Sequence, residues 1–248
     1  MMRRILAALT VVCLGAQAEA NRLQEKHHEY LTSNLLAIYY HELGHALIDV
    51  MKLPIFGQEE DAADVLSVFL IDALWDGDRA IQMAYHTADG FLGVADDNAD
   101  SEPIYWGVHG LDLQRYYTFV CLFYGADPDA RKRMADDLKL PEYRQRTCRN
   151  EYEQARDSWG AVIGRLKENG PGRSIRLLSD HRVDEFGRFT AEVMAAEIAQ
   201  MNKDLSLPKR ILVRVEECGT VNAFYNSKTR EIIMCTEFAE YLAEIAPQ

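Results

Sequence analysis

His41, Glu42 and His45, in the stretch "YYHELGHALIDVM" from Tyr39 to Met51, have the types and spacing of a metal site. On a helix, side chains four residues apart lie one above the other, so the two imidazoles can offer nitrogens to a single ion. Glu42 is turned off that face, too far round to ligate but within reach of a water that the ion activates. That position suits a general base. The ion is expected to be one Zn2+, since catalytic zinc takes three protein ligands and keeps a fourth position open. The bland reading is a core helix with two buried histidines and a solvated glutamate. Two histidines flanking a glutamate, with an acidic pair downstream, favour the metal.

A third ligand must come from elsewhere in the chain. In the metzincin pattern the helix would continue with a glycine and a third histidine, but Ile48 and Met51 stand at those positions. The following segment "QEEDAAD" offers Glu60 as ligand and Asp64, four residues on, as the carboxylate that holds a histidine N–H from behind. Glu59 is the rival ligand. This E-x-x-x-D after H-E-x-x-H resembles the gluzincins, the thermolysin-like peptidases among them. The resemblance implies Glu60 as third ligand and Asp64 as support for the first histidine.

Two further features bear on a substrate. Asn222-Ala223-Phe224-Tyr225 resembles the edge-strand run of thermolysin-like enzymes, which implies Asn222 and Ala223 as peptide contacts. An ordinary hairpin with Phe224 and Tyr225 on opposite faces is the competing reading. In those relatives the edge strand precedes the zinc helix, so the order here is permuted. For the oxyanion formed during hydrolysis, "YWGVHGLDLQRYY" offers His109, Tyr105, Tyr116 and Arg115, of which His109, in a loop opening a helix, is the best placed. His27, His28, His86 and His181 are given no role.

Positioning these groups requires a mostly helical α+β chain. A long helix from Asn21 to about Leu53 carries H-E-x-x-H, and a second, beginning at "EEDAADVLSVFLIDALW", carries the third ligand. A third helix spans Asp78 to Phe91, and the acidic run "VADDNADSEPIYWGVHG" is an exposed loop. Helices over "LDLQRYYTFVCLFYG", "DPDARKRMADDLKL" and "PEYRQRTCRNEYEQARDSWGAVIGRLK" follow. Gly170, Pro171 and Gly172 then break the pattern before a short β-like run. Beyond lie a helix, a strand at "RILVRVEEC", a hairpin turning at Asn226 and Ser227, and a final short helix. The expected organisation is a leader over 1–20, a helical zinc-binding lobe over 21–170 and an α/β lobe over 171–248, packed as one unit. The C-terminal segment contributes a small antiparallel sheet in a zincin-like arrangement.

The leader reading rests on Arg3 and Arg4, an apolar run, and small residues at Ala18 and Ala20. A lipidated Cys13 is disfavoured by Val12 before it. Of five cysteines, four then remain, Cys121, Cys148, Cys218 and Cys235, an even number suited to an oxidising compartment. The economical pairing is local, Cys121 with Cys148 and Cys218 with Cys235, although three connectivities are open. A zinc site built from all four lacks any C-x-x-C spacing. No segment after the leader is apolar for long enough to span a bilayer, and a net charge of −12 argues against nucleic acid.

Taken together, "HELGHALID", "EEDAAD", "HGLDLQRYYTFVCLFYG", "EYEQARDSW" and "CGTVNAFYNSKTREIIMC" resemble a bacterial domain-of-unknown-function family of secreted metallopeptidases. The resemblance implies a gluzincin-like fold and hydrolysis of a peptide or protein substrate, in the periplasm or outside the cell. The alternative is a non-catalytic zinc-containing binding protein of the cell envelope.

Overall fold

The structure is a computed structural model that describes residues 9–179 and 183–247, with side chains from His27 onward except that of Ser179. The first eight residues of the expected leader and His181 lie outside the described residues. The chain folds in the order α1 (Leu9–Met51), α2 (Glu59–Leu74), α3 (Gly77–Asp97), α4 (Asp112–Ala126), α5 (Lys132–Asp137), α6 (Glu142–Glu168), β1 (Ile175–Ser179), α7 (Glu185–Asp204), β2 (Ile211–Glu216), β3 (Ala223–Asn226), β4 (Glu231–Cys235) and α8 (Thr236–Glu244). None of the helices in the described part is long and apolar enough to cross a membrane.

α1 is the central element because its second half is apolar nearly all round. Leu35, Tyr39, Tyr40, Leu43 and Leu47 are all buried, as expected of a helix enclosed on every side. α2, α3, α7, α8 and β3 all pack against it. It stops at Lys52, whose left-handed φ of 54° lets Leu53 N–H return to Ile48 O at 3.0 Å, and Pro54 follows. α2 then starts with Glu59, Glu60 and Asp61 in its first turn, at the positive end of the helix dipole.

The sheet has four strands in the order β1-β2-β4-β3. Only β3 and β4 are antiparallel, whereas β1 with β2 and β2 with β4 are parallel. The expectation of a small antiparallel sheet is corrected here to a mixed one. The reason lies in α7, which carries the chain back between β1 and β2 and so allows them to run the same way. β2 alternates in burial, with Ile211, Val213 and Val215 turned inward, while β4 in the middle is buried at Ile232, Ile233, Met234 and Cys235. The β3–β4 turn is closed by Asn226 Oδ1, which accepts from Lys228 N–H at 3.0 Å. β3 is an edge strand on the side of the sheet that meets α1.

A second correction concerns the acidic run from Val94, expected to be loop throughout. α3 continues through it to Asp97, because Asp96 and Asp97 simply extend the solvated face of an amphipathic helix. Two disulfides staple the structure: Cys121 to Cys148 joins α4 to α6, and Cys218 to Cys235 ties the β2–β3 connection to the end of β4.

Candidate metal centre

α1 and α2 cross closely enough to put three donor atoms together. His41 Nε2 and His45 Nε2 are 3.2 Å apart, and each lies 3.2 Å from Glu60 Oε2. Four ligands arranged tetrahedrally around zinc at about 2.0–2.1 Å stand roughly 3.3–3.4 Å from one another. The triangle therefore has nearly the edge length that such an ion requires, and two imidazoles with one carboxylate are donors that zinc accepts.

The crossing depends on Gly44. A Cβ placed there would stand 2.9 Å from Ala63 Cα and 3.1 Å from Ala63 Cβ, closer than side-chain carbons approach. Gly44 lies one residue before His45, and Ala63 lies between Glu60 and Asp64. The point of closest approach thus sits beside the donors.

Each histidine is held from behind. His41 Nδ1–H donates to Asp64 Oδ1 at 2.8 Å. Asp64 in turn accepts from Arg115 Nε at 2.8 Å and Nη2 at 2.9 Å. His45 Nδ1–H donates to Glu59 Oε1 at 2.8 Å. With Nδ1 protonated and occupied, the Nε2 lone pair of each ring points at the shared position. Glu59, weighed as a rival ligand from sequence, is placed behind His45, with its carboxylate on Nδ1.

The electrostatics follow from this crowding. Burial alone would lower the His41 imidazole, but the Asp64 and Glu60 carboxylates outweigh it and hold His41 up at about 9. His45 is raised in the same way, burial being overcome by Glu60 and Glu59. Glu60 is driven far below the usual carboxylate range by His109, His41 and His45. Asp64 also lies far below it, Arg115 and His41 overcoming the burial that would raise it. Glu42 behaves oppositely. It is 4 % exposed, and burial raises its carboxyl despite the nearby His41 and His45.

All of these residues line one cleft of about 920 Å3 that follows α1 from Asn34 and runs past its end to Leu53. His109, from the loop before α4, reaches in with Nε2 2.9 Å from Glu60 Oε2. His41, Glu60 and His109 present atoms that all lie within 4.8 Å of one another. Of the two further histidines facing Glu60, His109 is the more exposed. Asn222 and Ala223 line the same cleft, and the Asn222 side chain accepts from Ala223 N–H at 2.9 Å. β3 is anchored to the ligand helix by Tyr225, whose hydroxyl donates to Asp49 Oδ2 at 2.8 Å. Of the other oxyanion candidates, Arg115 is engaged by Asp64, Tyr116 is buried with its hydroxyl on Leu138 O at 2.7 Å, and Tyr105 is exposed.

Sequence reasoning missed three contributors: Arg115 as the clamp on Asp64, Tyr225 as the tether of β3, and Gly44 as the point of close approach. Only Gly44 carried a local signal, a glycine inside a strongly helical pattern.

His41, buried, and His45, half-buried one turn on, stand with Glu60 of the next helix as residue types that could hold a metal ion. The chain belongs to the domain-of-unknown-function family DUF4344, described as "putative metallopeptidase", which matches residues 10–163 and 182–248. That membership makes it a metallopeptidase by family, with a metal cofactor and a peptide or protein substrate implied. No curated protein and no solved structure matches the chain.

Proposed function

We propose that the chain is an exported zinc-dependent peptidase with a zincin-like site, in which His41, His45 and Glu60 hold one zinc ion. The observation that carries this is the triangle of His41 Nε2, His45 Nε2 and Glu60 Oε2, 3.2 Å on each edge, with Glu42 buried in the same cleft. Bound there, zinc would polarise the scissile carbonyl and acidify the attacking water.

The chain's own residues supply the rest. Glu42 takes the proton from the attacking water and later delivers it to the leaving amine, a double role that a carboxyl raised by burial suits. Asp64, clamped by Arg115, and Glu59 fix the two imidazoles so that Nε2 faces the centre. His109 Nε2–H, at the open side of the cleft, donates to the oxyanion that develops on the carbonyl. The free edge of β3 pairs with an extended peptide, and Asn222 and Ala223 begin that contact. The two disulfides support export to an oxidising compartment, periplasmic or extracellular.

The test pairs metal analysis with Glu42→Gln. Wild type should hold about one equivalent of zinc and cleave a peptide library in a chelator-sensitive way. The variant should keep the metal and lose turnover by about 10²-fold or more. Wild type that holds zinc but cleaves nothing would instead be a non-catalytic zinc protein, and the peptidase reading would be wrong.

A further inference from the structure

A second groove, of about 460 Å3, lies on another face of α1 and shares no lining residue with the metal cleft. Leu36, Leu74, Trp75, Phe189, Val193 and Met201 give it largely apolar walls. Glu197 of α7 lines it too and is 6 % exposed, whereas Glu192, Gln200 and Asp204 on the same helix are exposed. The Glu197 carboxylate therefore lies inward of them. Among the described residues the buried acidic side chains are Glu42 and Glu197, and neither forms an ion pair. Glu42 has a task in the hydrolysis proposed above. Glu197 has none.

Glu197 Oε1 accepts from Tyr40 O–H at 2.8 Å, and the Tyr40 hydroxyl oxygen accepts from Trp75 Nε1–H at 3.2 Å. Oε2 has no hydrogen-bond partner. The sealed side-chain atoms without a partner, among the described residues, are those of Tyr30, Thr32 and Thr87. Oε2 is thus unpaired but not sealed, and it is open to the groove that Glu197 lines. Burial and the nearby Asp204 carboxylate both raise the Glu197 carboxyl, and no described cation offsets them. The two basic residues at the groove are engaged elsewhere: the Arg79 guanidinium lies over the Trp75 ring at 4.8 Å, and the His28 ring meets Phe189 edge-on at 4.6 Å. A carboxylate kept in apolar surroundings without a counter-charge costs stability. Departures of that kind are characteristic of sites with a use for the charge.

We propose that this groove binds a small primary amine with an aromatic or branched apolar body, held as its ammonium by Glu197 Oε2. The ammonium supplies the missing counter-charge and donates to the unpaired oxygen. The body covers the apolar walls, where the Trp75 and Phe189 rings favour a flat partner. A metal ion is not the occupant, since Glu192, Glu197 and Asp204 do not gather ligand atoms within 4.8 Å of one another. An anion would be repelled by the same three carboxylates. A lysine side chain carries the right charge, but its unbranched stem leaves much of the wall uncovered.

The test titrates 2-phenylethylamine and its neutral analogue 2-phenylethanol calorimetrically into the folded protein, as purified and after chelator treatment. The amine should bind at least about tenfold more tightly than the alcohol in both preparations. Glu197→Gln, which keeps an acceptor for Tyr40, should reduce that ratio to within about threefold and leave the alcohol's affinity unchanged. Val193→Trp fills the groove from its wall and should abolish binding of both compounds. Equal affinities in wild type, no binding of either compound, or a ratio that survives Glu197→Gln overturns the site. Amine binding that disappears on chelation belongs to the metal centre, and overturns the groove while leaving the peptidase reading intact. Tighter binding of N-acetyl-lysine amide than of 2-phenylethylamine overturns the small-amine assignment in favour of a lysine side chain.

Discussion

Gly44→Ala should weaken the metal centre without touching a donor atom. The new methyl would sit 2.9 Å from Ala63 Cα, whereas carbon atoms rest at about 3.5–4.0 Å. The helices must therefore part by roughly 0.6–1 Å where α1 crosses α2. Glu60 rides on α2 one turn before Ala63, so its Oε2 moves away from the two Nε2 atoms now 3.2 Å from it. Metal–ligand distances tolerate only about 0.2 Å. A zinc affinity about 10–100-fold weaker is expected, of the size seen when ligand support is disturbed. For stability two effects oppose. Alanine is favoured over glycine inside a helix by about 1 kcal/mol, and overpacking costs about 1–3 kcal/mol. The metal-free protein should thus lose about 2 kcal/mol at most. Gly164 in α6 isolates the first effect, because a Cβ there meets nothing within 4 Å, and Gly164→Ala should stabilise by about 0.5–1 kcal/mol. Competition against a chromophoric chelator reads the affinity and thermal unfolding reads the stability. Gly44→Ala protein that binds zinc within about threefold of wild type would show that the close crossing does not set the donor triangle.

Asp64→Asn removes the charge that His41 and Arg115 share, and zinc affinity should fall about 10–100-fold by the same chelator competition. Glu197 is buried in α7, and its carboxylate accepts from Tyr40 O–H at 2.8 Å. Burial raises its carboxyl, so its proton is held more tightly folded than unfolded, and that stability is lost as pH rises through the folded value. Glu197→Gln keeps an acceptor for Tyr40, and its Tm advantage over wild type should grow from near zero at about pH 4 toward neutral pH; an advantage independent of pH would refute the assignment. Replacing Cys121 and Cys148 together by serine opens a loop with a sequence separation of 27 and should cost about 3–4 kcal/mol in denaturant unfolding.

The candidate ligands were legible in the sequence because they are local. H-E-x-x-H is a statement about one helix face and E-x-x-x-D another about the next helix, so the spacing pairs His41 with His45 and Glu60 with Asp64, while the crossing at Gly44 that brings the two pairs together was not legible. The boundaries of α2 and α7 were legible for the same reason, from acidic first turns and sustained periodicity. Arg115 was not, because its contact with Asp64 spans 51 residues and arginines on helices usually face solvent. The parallel pairing of β1 with β2 was hidden because strand direction is set by the crossover through α7, not by anything in "SIRLL" or "RILVRVEEC".

The tether between Tyr225 and Asp49 joins residues 176 apart in sequence. In a chain made from its N-terminus, the proposed ligands His41, His45 and Glu60 all precede β3, the strand proposed to align a peptide. If those ligands hold the ion, a molecule cut before β3 would keep the metal-binding residues and lose the proposed peptide edge, so metal loading and substrate alignment would be separable.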